Sequence, residues 1–280
     1  CDYEIILSYQ DIESIQKESN APLRICSFDI ECDSCDGMFP QANRPNDNVI
    51  QIGCTYTYLG KSEPYRQYIC TLKSCDKIEG AVVESYQDER ELLLAWLEEI
   101  KKSDADILTG YNIFYFDEKY IMDRASYLGI EVDIKYLSKL KSHRCIFKEQ
   151  KLASSALGEN LLRYFDTPGI VHIDLMKDVQ KTYNLSSYKL DKVASNFIKG
   201  LVVKVQKEKN NIYNLFCDQV NDLTSDDYIH LELLESFVSE DIGEKFKVLK
   251  LDTENKIITI QTEIDLISEC DFSRGKVYWS

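Results

Sequence analysis

The chain has 280 residues, 44% of them hydrophobic and 29% charged, with 11 glycines and 5 prolines, a composition that excludes a disordered or low-complexity chain and is long enough for a full core. Its formal net charge of −15 argues against a protein built mainly to coat nucleic acid, although an enzyme that holds divalent cations in an acidic cleft carries such an excess itself. No apolar run of about 18 residues and no apolar N-terminal signal region occurs, so a soluble, non-secreted protein with no membrane partner is expected. The ten cysteines are then expected as reduced thiols. A start at Cys1 rather than Met is what a piece of a longer protein would show.

Residues 1–21, apolar from Tyr3 to Tyr9 and then polar, read as the tail of a preceding domain. From Pro22 to Glu31 apolar and polar residues alternate, the period of a strand, with Asp29 and Glu31 on one face and Phe28 and Ile30 on the other. Gly37, Pro40 and Pro45 make 33–47 a loop. Val49–Tyr58 reads as a strand and Pro64–Leu72 as its partner. Asp88 caps a helix carrying Leu92, Leu93, Trp96, Leu97 and Ile100 at helical spacing. Asp106–Asn112 is a short strand ending in a glycine turn, and Asp117 opens a helix that Gly129 ends. This order implies a mixed central sheet flanked by helices.

Further on, a hairpin is expected between Phe147–Leu152 and Asn160–Phe165, with Gly158 at its turn, and order restarts at Val171–Asp174. Helices follow at 174–183 and 187–199, and Leu201–Val205 can pair with Ile212–Phe216. A long helix over 225–250 would place Leu231, Leu234, Val238, Ile242, Phe246 and Leu249 on one stripe. Cys32-Asp-Ser-Cys35 has the spacing of half a zinc knuckle, without a second half; buried apolar roles are the main expectation for the cysteines. The basic run of Lys135, Lys139, Lys141, Arg144, Lys148 and Lys151 is a solvated loop or a phosphate-contacting surface.

Two carboxylates on one face of an apolar strand repel each other and favour a cation between them, unless they simply face solvent at a sheet edge. Asp117 stands where a strand gives way to a helix, as an N-cap or as one of the active residues that collect outside strand ends in open sheets. Asp241 borders the apolar stripe of the expected long helix, among the solvated acids Glu232, Glu235, Glu240 and Glu244.

Three stretches resemble the exonuclease motifs of family B DNA polymerases: Phe28-Asp29-Ile-Glu31, Asn112-xxx-Phe116-Asp117 and Phe237-xxx-Asp241. Ala21–Cys32, Val49-Ile-Gln-Ile52, Asp106–Asn112 and Ser187–Ala194 are similar to the delta-type enzymes of eukaryotes and large DNA viruses. The resemblance implies a ribonuclease-H-like exonuclease fold over 22–250, with 251–280 leading towards a polymerase palm. It implies a proofreading 3′–5′ exonuclease with Asp29, Glu31, Asp117 and Asp241 holding two Mg²⁺, replaceable by Mn²⁺, about 3.5–4 Å apart. Asp29 would bridge both ions, Glu31 and Asp241 would complete one site, and Asp117 would serve the other. Asn112, Phe114, Phe116 and Phe237 are the implied DNA contacts, of which the first three would hold the frayed, single-stranded 3′ end with aromatic stacking on its bases, and 145–172 would be the hairpin that parts primer from template. The implied partners are a polymerase domain of the same protein and a sliding clamp, at a nuclear or viral replication site.

The third motif of this family usually has Tyr where Phe237 stands, so a reduced rate is expected from the missing hydroxyl. No Ser-Leu-Tyr-Pro-Ser-type or Tyr-x-Asp-Thr-Asp-type motif is present, so nucleotide addition is not expected of these residues. Two other readings stand beside the enzyme: a catalytically weak scaffold of the same fold that binds DNA or partner domains, and a free-standing nuclease of the wider superfamily.

Overall fold

A computed structural model describes residues 5–19, 21–140, 142–154, 158–220, 223–235 and 238–280. They form two compact units, Cys1–Asn184 and Leu185–Ser280.

The first unit is built on β1 (Arg24–Cys32). Its alternation is realised: Cys26, Phe28 and Ile30 are buried, while Ser27, Asp29 and Glu31 are exposed on the other face. β2 (Val49–Tyr58) pairs antiparallel with β1, with Gly53 opposite Asp29 and Gln51 opposite Glu31. β3 (Arg66–Leu72) pairs antiparallel with β2, and β4 (Val82–Tyr86) runs parallel to β3. β4 is a five-residue edge strand with a polar centre, too short for its alternation to stand out in the sequence.

Asp88 caps α1 (Glu89–Ser103) by accepting a 2.9 Å hydrogen bond from the Glu91 amide. The α1 stripe buries Leu92, Leu93, Trp96, Leu97 and Ile100. The Trp96 ring lies 5.6 Å from that of Phe28, on the inner face of β1. Each such side chain contributes roughly 1.5–3 kcal/mol by leaving water, so the register of β1 is fixed by its apolar half, and Asp29 and Glu31 must point the other way.

β5 (Ile107–Gly110) runs parallel to β1, and α2 (Asp117–Tyr127) and the single turn α3 (Glu131–Ile134) follow. β6 (Ile146–Ser154) and β7 (Gly158–Asp166) form the expected hairpin, with Phe147 opposite Phe165 and Leu152 opposite Asn160. β8 (Val171–Asp174) runs parallel to β5, and α4 (Leu175–Thr182) closes the unit, capped by Asp174. The sheet order is β4-β3-β2-β1-β5-β8. Much of the basic run is paired locally: Lys135 with Glu131, Lys139 with Asp106, Lys148 with Asp166, and Arg144 over the Tyr136 ring. Lys141 lies outside the described residues.

Gly110 ends β5 against β1. A Cβ there would lie 2.5 Å from the Phe28 carbonyl oxygen and 2.6 Å from Ile113 Cγ2. Because one of these is backbone, Gly110→Ala is expected to cost ~1–3 kcal/mol or more, measured as a lower urea midpoint at unchanged slope.

The second unit holds α5 (Leu190–Phe197) and then strands. These are β9 (Gly200–Lys207), β10 (Ile212–Cys217), β11 (Tyr228–Ile229), β12 (Leu231–Glu235), β13 (Val238–Asp241), β14 (Phe246–Asp252) and β15 (Ile257–Gln261). A short α6 (Leu266–Glu269) precedes β16 (Lys276–Trp279). The pairing of β9 with β10 was expected, with Leu215 opposite Val205. Among the described residues of 225–250 the long helix is absent and four strands stand in its place. Burial alternates at Leu231 and Leu233 and again at Phe246 and Val248, whereas Leu234 and Leu249, on the supposed helical stripe, are exposed. Gly243, at φ +69°, turns the chain between β13 and β14, and a Cβ there would lie 2.5 Å from Ile264 Cδ1. Residues 251–280 give β15 and β16 to the same sheet, with α6 between them.

All pairings in this sheet are antiparallel, in the order β11-β14-β15-β10-β9-β16-β12-β13. β11 lies at one edge and β12 next to the other, yet only His230 separates them in sequence. The sheet therefore curls until its ends meet at His230, which exchanges both backbone hydrogen bonds with Ser280. The enclosed core includes Val202, Tyr213, Leu215, Leu231, Phe246, Ile258, Val277 and Trp279.

Candidate active site

The acidic face of β1 meets the turn that follows β5. Asn112 takes φ +66°, a left-handed conformation Asn tolerates, and its carbonyl accepts from the Tyr115 and Phe116 amides, each at 3.1 Å. Asp174, at the end of β8, braces this turn from below. Its carboxylate accepts from the amides of Asn112 at 2.9 Å, Phe114 at 3.1 Å and Met176 at 2.9 Å. Sequence reasoning did not single out Asp174; its place between a strand and a helix is the N-cap signal that would have found it.

The turn delivers Asp117 as the first residue of α2. Phe116 occupies the cap position, so Asp117 is not the N-cap. Its Oδ1 instead reaches β1 and accepts from the Ile30 amide at 3.2 Å. The side chain is buried, and burial, with Asp29 beside it, pushes its carboxyl up to about 7, against the lowering effect of the Ile30 amide. Next to it, Glu118 is buried too. Its Oε2 accepts from the Phe165 amide at 2.6 Å and its Oε1 lies 2.7 Å from His172 Nδ1, which ties α2 to β7 and β8. Burial raises the Glu118 carboxyl and His172 opposes the rise.

Beside Asp117 opens a cleft of about 650 Å³, with Phe39, Tyr115, Phe116, Lys119, Tyr127 and Arg163 among its lining. The Phe116 ring stands 5.3 Å from both Phe39 and Tyr120, and Phe114 stands 5.3 Å from Tyr164. Asn112 is half-buried, and its Oδ1 has no hydrogen-bond partner among the described residues.

The structure thus brings Asp29 and Asp117 together, with Glu31 on the same strand face, and gathers Asn112, Phe114 and Phe116 at the turn. Asp241 is a strand residue and not a helical one. It lies on β13 of the second unit, largely exposed, beside His230 and Glu232. Phe237 lies outside the described residues. The donors on the first unit suit a hard divalent cation: all are carboxylates, and a buried carboxyl held up by a second acid gains from a cation nearby. Asp29 lies beside Asp117, but the donor atoms of all three acids are not mutually within 4.8 Å. Among the described residues the only three-donor group with all atoms within 4.8 Å is His230, Glu232 and Asp241. Cys32 and Cys35 therefore find no third ligand there either. No helix among the described residues is long and apolar enough to cross a membrane.

Residues 1–193 match the family model for the exonuclease domain of DNA polymerase family B. The match ends inside α5, so every strand from β9 onward lies beyond it. Over 219 residues the chain is 42% identical to the DNA polymerase of Pyramimonas orientalis virus, covering 78% of this chain and 17% of the relative. It is 30% identical over 343 aligned positions to the DNA polymerase of Acanthamoeba polyphaga mimivirus, covering 90% and 20%. The DNA polymerase delta catalytic subunit of Oryza sativa subsp. japonica is 37% identical over 202 residues, covering 71% and 18%. The chain spans about a fifth or less of the length of these relatives. The matched residues carry the β1 acids, the turn after β5 and Asp117, and on that ground the chain belongs to the exonuclease-domain family of the family B DNA polymerases.

Proposed function

We propose that the first unit is a divalent-metal-dependent 3′–5′ DNA exonuclease that trims primer ends for a polymerase domain of the same protein, at a nuclear or viral site of replication. The observation that carries the reading is Asp117: a buried carboxyl, raised to about 7, is turned from a helix start onto the β1 strand that bears Asp29 and Glu31. The strand order β3-β2-β1-β5-β8, with only β2 reversed, supports a ribonuclease-H-like fold.

Asp29, Glu31 and Asp117 would hold Mg²⁺, or Mn²⁺ in its place. When bound, such a pair of ions supplies Lewis-acid activation of water and neutralises charge on the phosphate. The residues of the chain do the rest. Phe116, Phe39 and Tyr115 offer faces on which an unpaired base can stack whatever its identity. Lys119 and Arg163 give the same cleft positive charge for the backbone. Asn112, held by Asp174, offers its amide at the turn. Asp241 is not among the proposed ligands, because it lies on a strand beyond the family match.

The full chain with Mg²⁺ is expected to shorten a 5′-labelled, 3′-mismatched primer from its 3′ end, and Asp29→Ala to slow this by about 10²-fold or more. Absence of shortening with either Mg²⁺ or Mn²⁺, or equal shortening by Asp29→Ala, defeats the reading. A second reading, a weakly catalytic scaffold, is favoured by the three acids not all lying within 4.8 Å of one another. Calorimetric titration with Mn²⁺ separates the two: binding lost in Asp29→Ala supports the enzyme, and no binding supports the scaffold.

A further inference from the structure

We propose that the second unit carries a metal site of its own, for a divalent transition ion of the zinc class, at His230, Glu232 and Asp241. His230 and Glu232 are two apart along one extended run, so their side chains share a face. Asp241 pairs directly with Glu232 across β12 and β13. His230 Nδ1 lies 3.9 Å from Glu232 Oε1 and 3.9 Å from Asp241 Oδ1. All three donors fall within 4.8 Å of one another, so one ion can be reached from each by side-chain adjustments of an ångström or so.

The charge pattern points the same way. Like charges directly opposite on antiparallel strands are destabilising, and among the described residues no Lys or Arg pairs with either acid; His230 is their one basic neighbour. Arg274, the nearby candidate, is engaged by Glu235 and Glu240 instead. Ser239 Oγ donates to Glu232 Oε2 at 2.9 Å, which fixes the carboxylate and leaves Oε1, the oxygen nearer His230, to bind. Such an outer hydrogen bond is how ligating carboxylates are oriented.

The donor set selects the ion. One imidazole with two carboxylates suits Zn²⁺ and its neighbours, while Mg²⁺ prefers oxygen donors alone. Three protein ligands leave a fourth position for water or a partner's side chain. The site also sits where the two ends of the curled sheet meet, at the only residue between β11 and β12. An ion there would clamp β13, an edge strand, to the closure of the sheet.

The test uses the full chain bearing Asp29→Ala and Asp117→Ala, so that the acids of the first unit cannot contribute. One equivalent of Zn²⁺ is expected to bind by calorimetry, to be undisturbed by millimolar Mg²⁺, and to raise the melting temperature. Co²⁺ is expected to give visible d–d bands without thiolate charge transfer. Adding His230→Ala, or separately Asp241→Asn, should weaken Zn²⁺ by about tenfold or more, with the circular dichroism of the metal-free protein unchanged. No zinc equivalent in the parent, a zinc equivalent that survives His230→Ala, or a cobalt spectrum dominated by thiolate overturns the assignment. None of these outcomes bears on cleavage by the first unit, so the two readings fail separately.

Discussion

Asp117→Asn is expected to abolish metal-dependent cleavage and, in the same protein freed of metal, to raise stability at pH 8 by up to ~4 kcal/mol. The carboxyl titrates at about 7 in the folded chain against an ordinary value of 3.8, and that gap corresponds to ~4 kcal/mol at ~1.4 kcal/mol for each tenfold step. The sign follows from the direction of the rise. Burial first, and Asp29 second, favour the neutral acid, so between about pH 4 and 7 the folded chain holds a proton that the unfolded chain has released. Stability of the wild type is therefore drained as pH climbs through that window and levels off above it. Asparagine keeps an acceptor for the Ile30 amide and carries no charge to bury. The gain should vanish near pH 4, grow to pH 7 and stay constant beyond, measured by urea unfolding in EDTA. Mg²⁺ should narrow the difference by stabilising the wild type, which has all three acids, more than the variant. A gain that is the same at every pH would mean that the charge of Asp117 is not its source. A variant that is more stable yet inactive is the signature of a strained functional site.

The parts of this molecule legible in the sequence are those where local pattern and tertiary burial agree. β1 reads directly because Cys26, Phe28 and Ile30 are buried, Phe28 against Trp96 of α1, which leaves Asp29 and Glu31 nowhere to go but the open face. The turn after β5 reads because Gly110 and Asn112 each meet a backbone demand, close approach in one case and positive φ in the other. Asp117 was visible as a helix start, but not its reach to Ile30, which depends on the spacing of β1 and β5. The failure lies at 225–250. Leu231, Leu234, Val238, Ile242, Phe246 and Leu249 fit a period of 3.6 only when drawn from three separate strands. Short strands of four to seven residues with charged outer faces offer too few alternations to outvote such a stripe. Gly243 was the one contrary signal, since a left-handed glycine inside a helix has no purpose.

Arg124→Ala is expected to cost ~3–5 kcal/mol and to loosen the wall of the cleft while leaving every acid in place. Arg124 is fully buried on α2 and spends its donors on four partners. Nε and Nη2 hold the Glu89 carboxylate, Nη2 also reaches Asn48 Oδ1 at 2.8 Å, and Nη1 reaches the carbonyls of Ala42 at 2.9 Å and Arg44 at 2.7 Å. Ala42 and its neighbours from Phe39 to Asn43 form one side of the cleft, so the guanidinium fixes the loop that presents Phe39 to Phe116. Removing it leaves Glu89 buried without its partner, the costly half of a broken buried pair. Among the described residues Glu89 then keeps only the Val49 amide, at 2.8 Å. The double variant Arg124→Met with Glu89→Leu removes both charges and should recover most of the loss in stability. It cannot restore the loop, because methionine offers nothing to the Ala42 and Arg44 carbonyls. Stability and cleavage should therefore part company: the double variant folds nearly as well as the wild type, is cut faster by protease within 33–47, and shows a raised KM for single-stranded ends with a smaller change in kcat. A double variant with wild-type KM would show that the loop is held without Arg124, by ties that include the Gln41 and Cys35 amides on the Asp47 carboxylate and the Tyr120 hydroxyl on the Asp47 carbonyl.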